Sequence, residues 1–170
     1  MKKITFLALL SFLTLNSIGQ DANGQNKFGH IDANELLLLM PETELMQNEI
    51  AEFQKTLESQ LGSMNAEYQQ MYQEFQANKA TYDDLVKQDK IAEIEDKQRR
   101  LQSFEQNARE TLQTKQQELL EPILSKARQA IQDVATEGDF TYIFDASIGS
   151  ILYAKESKNI LPIVKNKLGL

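Results

Sequence analysis

Apolar residues recur at helical spacing over residues 42–137. From Leu45 to Phe75 they stand mostly three to five positions apart, and Gln, Glu, Lys and Asn fill most of the positions between them. Such steps place apolar side chains on one face of a helix. A second run starts at about Asp89 and contains Pro122, which is expected to kink it. The pattern therefore predicts two long helices.

A break at residues 81–90 (T-Y-D-D-L-V-K-Q-D-K) separates the two runs, which have similar lengths. Their apolar stripes are narrow, and polar residues such as Gln98 and Gln116 interrupt them. A helix of this kind gains little stability alone and needs a partner along its stripe. We therefore predict that residues 42–137 form an antiparallel coiled-coil hairpin, the arm, with its tip near 81–90.

Short β-like segments flank this region. K-F-G-H-I-D (27–32) alternates in part, and residues 27–41 are predicted to hold a first strand and a short helix. Residues 138–170 are predicted to form a β-hairpin, with strands at 140–145 and 150–154, and a closing helix. Gly138 is expected to end the second long helix, and Asn159 to cap the closing one.

Two or three short strands are not stable alone in water, and a body this small cannot bury a satisfactory core. We therefore predict an α+β fold that is mostly α, with a small β oligomerisation body and a long antiparallel coiled-coil helical hairpin. Self-association would cover apolar strand residues, and the predicted interface comprises Phe28, Ile31, Ile143, Phe144 and Ile151.

The first residues have the pattern of a secretory signal. Lys2 and Lys3 precede an apolar run at 4–15, and small or polar residues follow. A run of about 12 residues is too short to span a hydrocarbon core of ~30 Å, although an uncleaved anchor is the alternative. The predicted signal peptide is 1–19, with a second candidate cleavage site after Gly24. We expect a periplasmic protein without stable membrane insertion.

Composition narrows the possible functions. The chain has no cysteine, which excludes a thiol nucleophile, a disulfide and a zinc–cysteine site. Its formal net charge is -7, and loss of Lys2 and Lys3 with the signal would make the mature chain more acidic. Nucleic-acid binding depends on neutralising phosphates, so this balance argues against a nucleic-acid partner. It also argues against strong attraction to anionic lipids.

Candidate catalytic or metal-binding residues are few. His30, the single histidine, stands near Asp32 on alternate positions of a predicted strand, which favours an ordinary side chain of the body. Glu93, Glu95 and Asp96 have the spacing of a solvated helix face rather than of a calcium site. No G-x-x-x-x-G-K phosphate loop occurs. We expect no enzyme activity, no cofactor and no metal.

The order of segments resembles the Skp (OmpH) family of periplasmic chaperones. F-G-H-I-D-A-N-E-L-L (28–37) is similar to that family's first strand and the turn into its helices. Y-I-F-D-A-S (142–147), I-L-Y-A (151–154) and N-I-L-P-I-V-K-N-K-L (159–168) are similar to its hairpin and closing helix. Relatives often have D-I-T where N-I-L-P stands, and well-known relatives are basic, so no lipopolysaccharide site is carried over.

The resemblance implies a homotrimer whose arms surround a cavity, where unfolded outer-membrane proteins are held without ATP. Adaptable aromatic and Met side chains of the arm are candidate client contacts, although each is also a candidate for the coiled-coil core: Met64, Tyr68, Met71, Tyr72, Phe75 and Tyr82. Pro122 is either a hinge or a fixed bend. The alternative function is a periplasmic coiled-coil spacer or adaptor that docks a partner's helices.

Overall fold

The computed structural model describes residues 26–149, 151–155 and 157–170. The predicted signal peptide and both candidate cleavage sites lie outside these residues. The helices and strands confirm the predicted α+β fold that is mostly α. In chain order they are β1 (Phe28–Ile31), α1 (Ala33–Leu39), α2 (Pro41–Asn78), α3 (Asp84–Glu137), β2 (Tyr142–Asp145), β3 (Lys158–Asn159) and α4 (Leu161–Leu168).

Capping residues fix where the helices begin. The Asp32 side chain accepts a hydrogen bond from the Glu35 backbone N–H at 2.9 Å, and α1 follows it. Pro41 occupies the first turn of α2, where its missing N–H is not needed. Asp83 caps α3 by accepting from the Val86 N–H at 2.9 Å. This cap lies inside the break that was predicted at residues 81–90. The turn between α2 and α3 comprises residues 79–83, so it is shorter than predicted and begins two residues earlier.

The two long helices form the antiparallel arm along a single seam. Every α2 residue beyond Thr43 that is at least half-buried is apolar, and the set is Met46, Ile50, Phe53, Leu57, Leu61, Met64, Tyr68, Met71 and Phe75. Leu45, by contrast, is exposed. In α3, Lys97 and Lys115 are half-buried at the seam, whereas their neighbours Gln98 and Gln116 are exposed. The predicted polar interruptions were therefore each wrong by one position.

β1 is the central strand of a three-stranded sheet in the order β2-β1-β3, and both neighbours run parallel to it. The predicted hairpin of 140–145 with 150–154 is wrong. Residues 151–155 form no strand, Ser150 lies outside the described residues, and Lys158–Asn159 provides the third strand instead. Parallel strands need a long crossover connection, and the whole arm serves as the connection between β1 and β2.

A small core lies between the inner face of the sheet and the helices. Its buried residues come from β1, α1, the base of α3 and the α4 region: Ile31, Leu36, Met40, Ile123, Ala127, Ala130, Val134, Ile160, Leu161 and Val164. Asn159 accepts a hydrogen bond from the Leu161 N–H at 2.9 Å, which helps to begin α4. The core therefore fixes the C-terminal end of α3 to the body. The rest of the arm is held together by the contacts between α2 and α3 along their seam.

The junction between the arm and β2 is tight. α3 ends at Glu137 and is capped by Gly138, where a Cβ would stand 2.5 Å from the ring of Phe140. Asp139 then takes a left-handed conformation, with φ at 53°. The Lys27 ammonium lies 4.4 Å from the centroid of the Phe140 ring, so the start of β1 is tied to the same junction.

Candidate functional site

Three aromatic side chains cluster on the outer face of the sheet. Phe28, Tyr142 and Phe144 have ring centroids 6.1–6.2 Å apart. All three are exposed, with 61% of Tyr142 accessible. Aromatic groups contribute most of the binding energy of many interfaces, so an exposed cluster of this size is a candidate contact surface.

The opposite face of the same strands corrects part of the predicted interface. Ile31 is 2% exposed in the single chain, and Ile143 packs against the core beside it. Alternate residues of a strand point to opposite faces, so Ile31 and Ile143 face inward while Phe28 and Phe144 face outward. The two isoleucines therefore contribute to the chain's own core instead of an outer interface.

The segment 151–155 extends the aromatic cluster. Its residues border a groove of about 870 Å³ that Phe28 and Phe144 also line. Leu152 is 95% exposed, and Tyr153 is also largely exposed. We call this surface the outer sheet face, and it comprises Phe28, Tyr142, Phe144, Ile151, Leu152 and Tyr153.

Three residues of the outer sheet face were not predicted from the sequence: Tyr142, Leu152 and Tyr153. Tyr142 stands two positions before Phe144, so the period of a strand would have placed it on the same face. Leu152 and Tyr153 were read as part of a hairpin strand. A paired strand would have one of these two neighbours facing inward, whereas both are exposed.

The six predicted client-contact residues all lie in the distal half of the arm. Met64, Tyr68, Met71 and Phe75 are half-buried along the seam of α2, and Tyr82 is half-buried at the tip. Two ring pairs join members of the set, Tyr68 with Tyr72 at 6.4 Å and Phe75 with Tyr82 at 6.5 Å.

Tyr72 alone of these six is exposed, at 44%. Its neighbour Met71 faces the seam, as expected from two adjacent residues of a helix. Leu85 and Ile91 are also exposed near the tip and were not predicted as contacts. We call Tyr72, Leu85 and Ile91 the distal apolar residues.

Ion pairs join the two helices of the arm at three levels. In each, a lysine of α3 reaches a glutamate of α2: Lys126 with Glu42, Lys115 with Glu49 at 2.6 Å, and Lys97 with Glu67. The hydrogen bond from Lys126 lowers the pKa of Glu42, and the hydrogen bond to Glu49 raises the pKa of Lys115. Lys97 and Lys115 are half-buried, so their apolar stems lie against the seam while their charged ends reach the glutamates.

A comparison with protein families agrees with this architecture. The family model described as Outer membrane protein (OmpH-like) matches residues 27–168, which include the body and the whole arm. The chain belongs to the OmpH-like (Skp) family. Its members are non-enzymatic periplasmic chaperones that bind outer-membrane proteins and oligomerise. A search of curated proteins found no matching relative.

The polar candidates of this OmpH-like chain have ordinary partners. His30 Nδ1 lies 2.9 Å from the Ser157 hydroxyl. Glu93 pairs with Lys90 at 2.8 Å, and Asp96 pairs with two arginines. Within the described ranges, no group of three or more His, Asp or Glu residues is placed to hold a metal ion. Among the helices described, none has the length and apolarity needed to cross a bilayer.

Proposed function

We propose that this protein is an ATP-independent periplasmic holding chaperone. It is exported by the signal peptide 1–19, assembles as a homotrimer through its β body, and holds unfolded outer-membrane proteins in a cavity between its arms. The observation that carries the proposal is the combination, in one OmpH-like chain, of an exposed outer sheet face with a long two-helix arm that has almost no core of its own.

The outer sheet face supports self-association. Exposed apolar patches of this kind mark interaction surfaces, and the groove beside Phe28 and Phe144 leaves room for side chains of another copy. Three arms that start from one joined body would stand side by side and enclose a space. The acidic balance of the chain does not oppose this arrangement, because the six residues of the outer sheet face are uncharged and Lys155, which also lines the groove, is basic.

The distal arm supports client binding. A holding chaperone needs many weak apolar contacts, so that a client stays soluble and is still released. Tyr72, Leu85 and Ile91 are exposed there, and Met64 and Met71 are half-buried in the seam of the same half of the arm. Such side chains adapt to varied apolar partners. We therefore assign client contact to the distal apolar residues together with the six predicted positions.

An aggregation assay tests the proposed function. A urea-unfolded outer-membrane β-barrel is diluted into buffer with or without the mature protein, and turbidity is followed. We expect the mature protein to suppress turbidity, and Tyr72→Lys to weaken the suppression because it removes an exposed apolar contact. Gln73→Lys is the matched control, with the same charge change on a neighbouring exposed residue.

Unchanged turbidity at a few-fold excess of protein would rule out the holding function. That outcome would favour the spacer or adaptor, whose arm docks helices of a folded partner and has no affinity for unfolded chains. Equal suppression by wild type and Tyr72→Lys would remove Tyr72 from the client surface and leave the holding function intact.

A further inference from the structure

The single histidine of the chain lies on the same side of the sheet as the aromatic cluster. His30 stands two positions after Phe28 on β1, and its register partner on β2 is Phe144. Alternate residues of a strand share a face, so the imidazole points the same way as these two rings. Gly29 and Ile31, on either side of His30 in the chain, are buried toward the core. His30 therefore stands on the surface that is proposed to meet another copy.

A hydroxyl group holds the imidazole at the groove of this surface. His30 Nδ1 lies 2.9 Å from the Ser157 hydroxyl oxygen, and Ser157 lines the groove of about 870 Å³ together with Phe28 and Phe144. The hydroxyl donates to an Nδ1 without a proton and accepts from an Nδ1 that carries one, so the bond is compatible with either charge state. His30 is half-buried in the single chain and keeps contact with water. Protonation is therefore compatible with the fold of one chain.

The lysines around His30 favour a neutral imidazole. Lys155 lines the same groove, and Lys158 comes directly before Asn159, which is the register partner of His30 on β3. Both lysines are positively charged at neutral pH, so neither pairs with an imidazolium, and like charges close together repel. Lys27, which precedes β1, is also positive, and its ammonium lies over an aromatic ring at the junction with the arm.

The carboxylates of the neighbouring elements face away from His30. Asp145 belongs to the inner side of the sheet by the alternation along β2, and it accepts from the Ala33 N–H at 3.3 Å. Asp32 caps α1. Among the described residues that line the groove, none is a carboxylate, and Glu156 lies outside the described residues. An imidazolium buried between copies would therefore lack an ion-pair partner among the described residues of this surface.

We propose that assembly through the outer sheet face depends on pH and that His30 is the group that senses it. Copies join while the imidazole is neutral and separate when it takes up a proton from the solvent, because burying an unpaired charge is costly. Histidine is the side chain that ordinarily changes its charge between pH 5 and 8. The inference rests on the proposed self-association, and it adds mild acidity as a condition under which the cavity between the arms comes apart.

The direction of the effect follows from proton linkage. A free chain, with His30 in contact with water, binds the proton more readily than an assembly that buries the same group. Association is therefore strongest above about pH 6.5, where histidine in water is neutral, and weakens as the pH falls below that value. At about pH 5.5, each histidine that assembly keeps neutral lowers the association constant by roughly tenfold, and three lower it by up to roughly a thousandfold.

Light scattering over a dilution series of the full mature protein tests the inference at about pH 8 and about pH 5.5. Far-UV circular dichroism of the same samples follows the helices. We expect the mass of a trimer at the higher pH and a fall toward the mass of a monomer at the lower pH, with the helical signal unchanged. The protein concentration at half-dissociation should rise by up to roughly thirtyfold, the square root of the change in the association constant.

Two neutral variants remove the sensor. His30→Gln keeps a side chain that hydrogen-bonds to a hydroxyl, and His30→Phe keeps a ring of similar size. Each should give the same mass at both pH values, so the test stays valid if one of them assembles poorly. Ser157→Ala is the matched control, because it alters the same contact and leaves the imidazole in place. It should keep the dissociation in acid.

A trimer mass for the wild type at both pH values would overturn the inference, as would a dissociation in acid that both neutral variants retain. Loss of the helical signal at about pH 5.5 would attribute the dissociation to unfolding and would also overturn it. A wild-type monomer at about pH 8 would contradict the proposed assembly itself. The mass at the higher pH therefore reports on the proposed function, and the difference between the two pH values reports on His30.

Discussion

Gly62 in the arm and Gly138 at its junction with β2 occupy opposite environments. A Cβ at Gly138 would stand 2.5 Å from Phe140 and 2.9 Å from the Val134 carbonyl oxygen, whereas a Cβ at Gly62 would meet nothing within 4 Å. Gly138 was predicted from the sequence as a helix end, and that position is confirmed. Its requirement for glycine comes from the close approach of Phe140, which follows from tertiary packing and has no local sequence signal.

We expect alanine to have opposite effects at these two glycines. Gly138→Ala should lower the free energy of unfolding by about 1–3 kcal/mol, because the ring of Phe140 must move. Gly62→Ala should raise it by about 1 kcal/mol, because only helix propensity changes. The measurement is the urea midpoint at one fixed protein concentration, since assembly couples to stability. Equal midpoints for the two variants would contradict the assignment of close packing to Gly138 alone.

Among the secondary-structure elements, the long helices were the most predictable from the sequence. The spacing of the apolar residues from Ile50 to Phe75 predicted the α2 seam, because residues three or four positions apart lie on the same face of a helix. The α3 seam was harder to predict, because lysines occupy two of its positions. Lys97 fills the seam position between Ile94 and Leu101. Lys115 fills the seam position between Leu112 and Leu119. A pattern limited to apolar residues does not include these lysines.

The strands were less predictable. β3 consists of Lys158 and Asn159, two polar residues without strand character of their own. They become a strand because β1 supplies hydrogen-bonding partners, and this pairing depends on the path of the chain over more than a hundred residues. An adjacent apolar segment, 151–154, looked more like a strand by composition.

The ion pairs between α2 and α3 permit a charge-exchange experiment at the scale of the arm. Lys115→Glu should lower the melting temperature, because it removes the 2.6 Å pair with Glu49 and places two carboxylates together. Combining it with Glu49→Lys should restore most of the loss, since the pair is rebuilt in reverse. Thermal unfolding followed by circular dichroism measures both effects.

Lys55→Glu is the matched control for this exchange. It makes the same charge change on α2, at an exposed position, without removing a pair between the helices. A drop in melting temperature as large as that of Lys115→Glu would show that net charge, rather than the pair itself, determines the effect. Failure of the double variant to recover would contradict a direct contact between positions 49 and 115.

At the scale of the whole molecule, the body and the arm differ in how much apolar surface they leave exposed. The body buries a core on one face of its sheet and leaves Phe28, Tyr142 and Phe144 exposed on the other. The arm needs no further partner along its seam. Self-association is therefore expected to depend on the outer sheet face and to be insensitive to changes near the tip.

A lysine at Phe144 tests this dependence. Phe144→Lys places a charge in the middle of the outer sheet face, and burying an unpaired charge in an interface is costly. We expect light scattering to give the mass of a trimer for the wild-type mature protein and the mass of a monomer for the variant. Leu85→Lys is the control, because Leu85 is 70% exposed and lies next to the tip of the arm, and it should keep the trimer mass. A wild-type monomer, or a trimer that survives Phe144→Lys, would contradict assembly through this face.

The inner residues Ile31 and Ile143 provide a comparison with Phe144. Their replacement by alanine should lower the free energy of unfolding, because both side chains pack in the chain's own core.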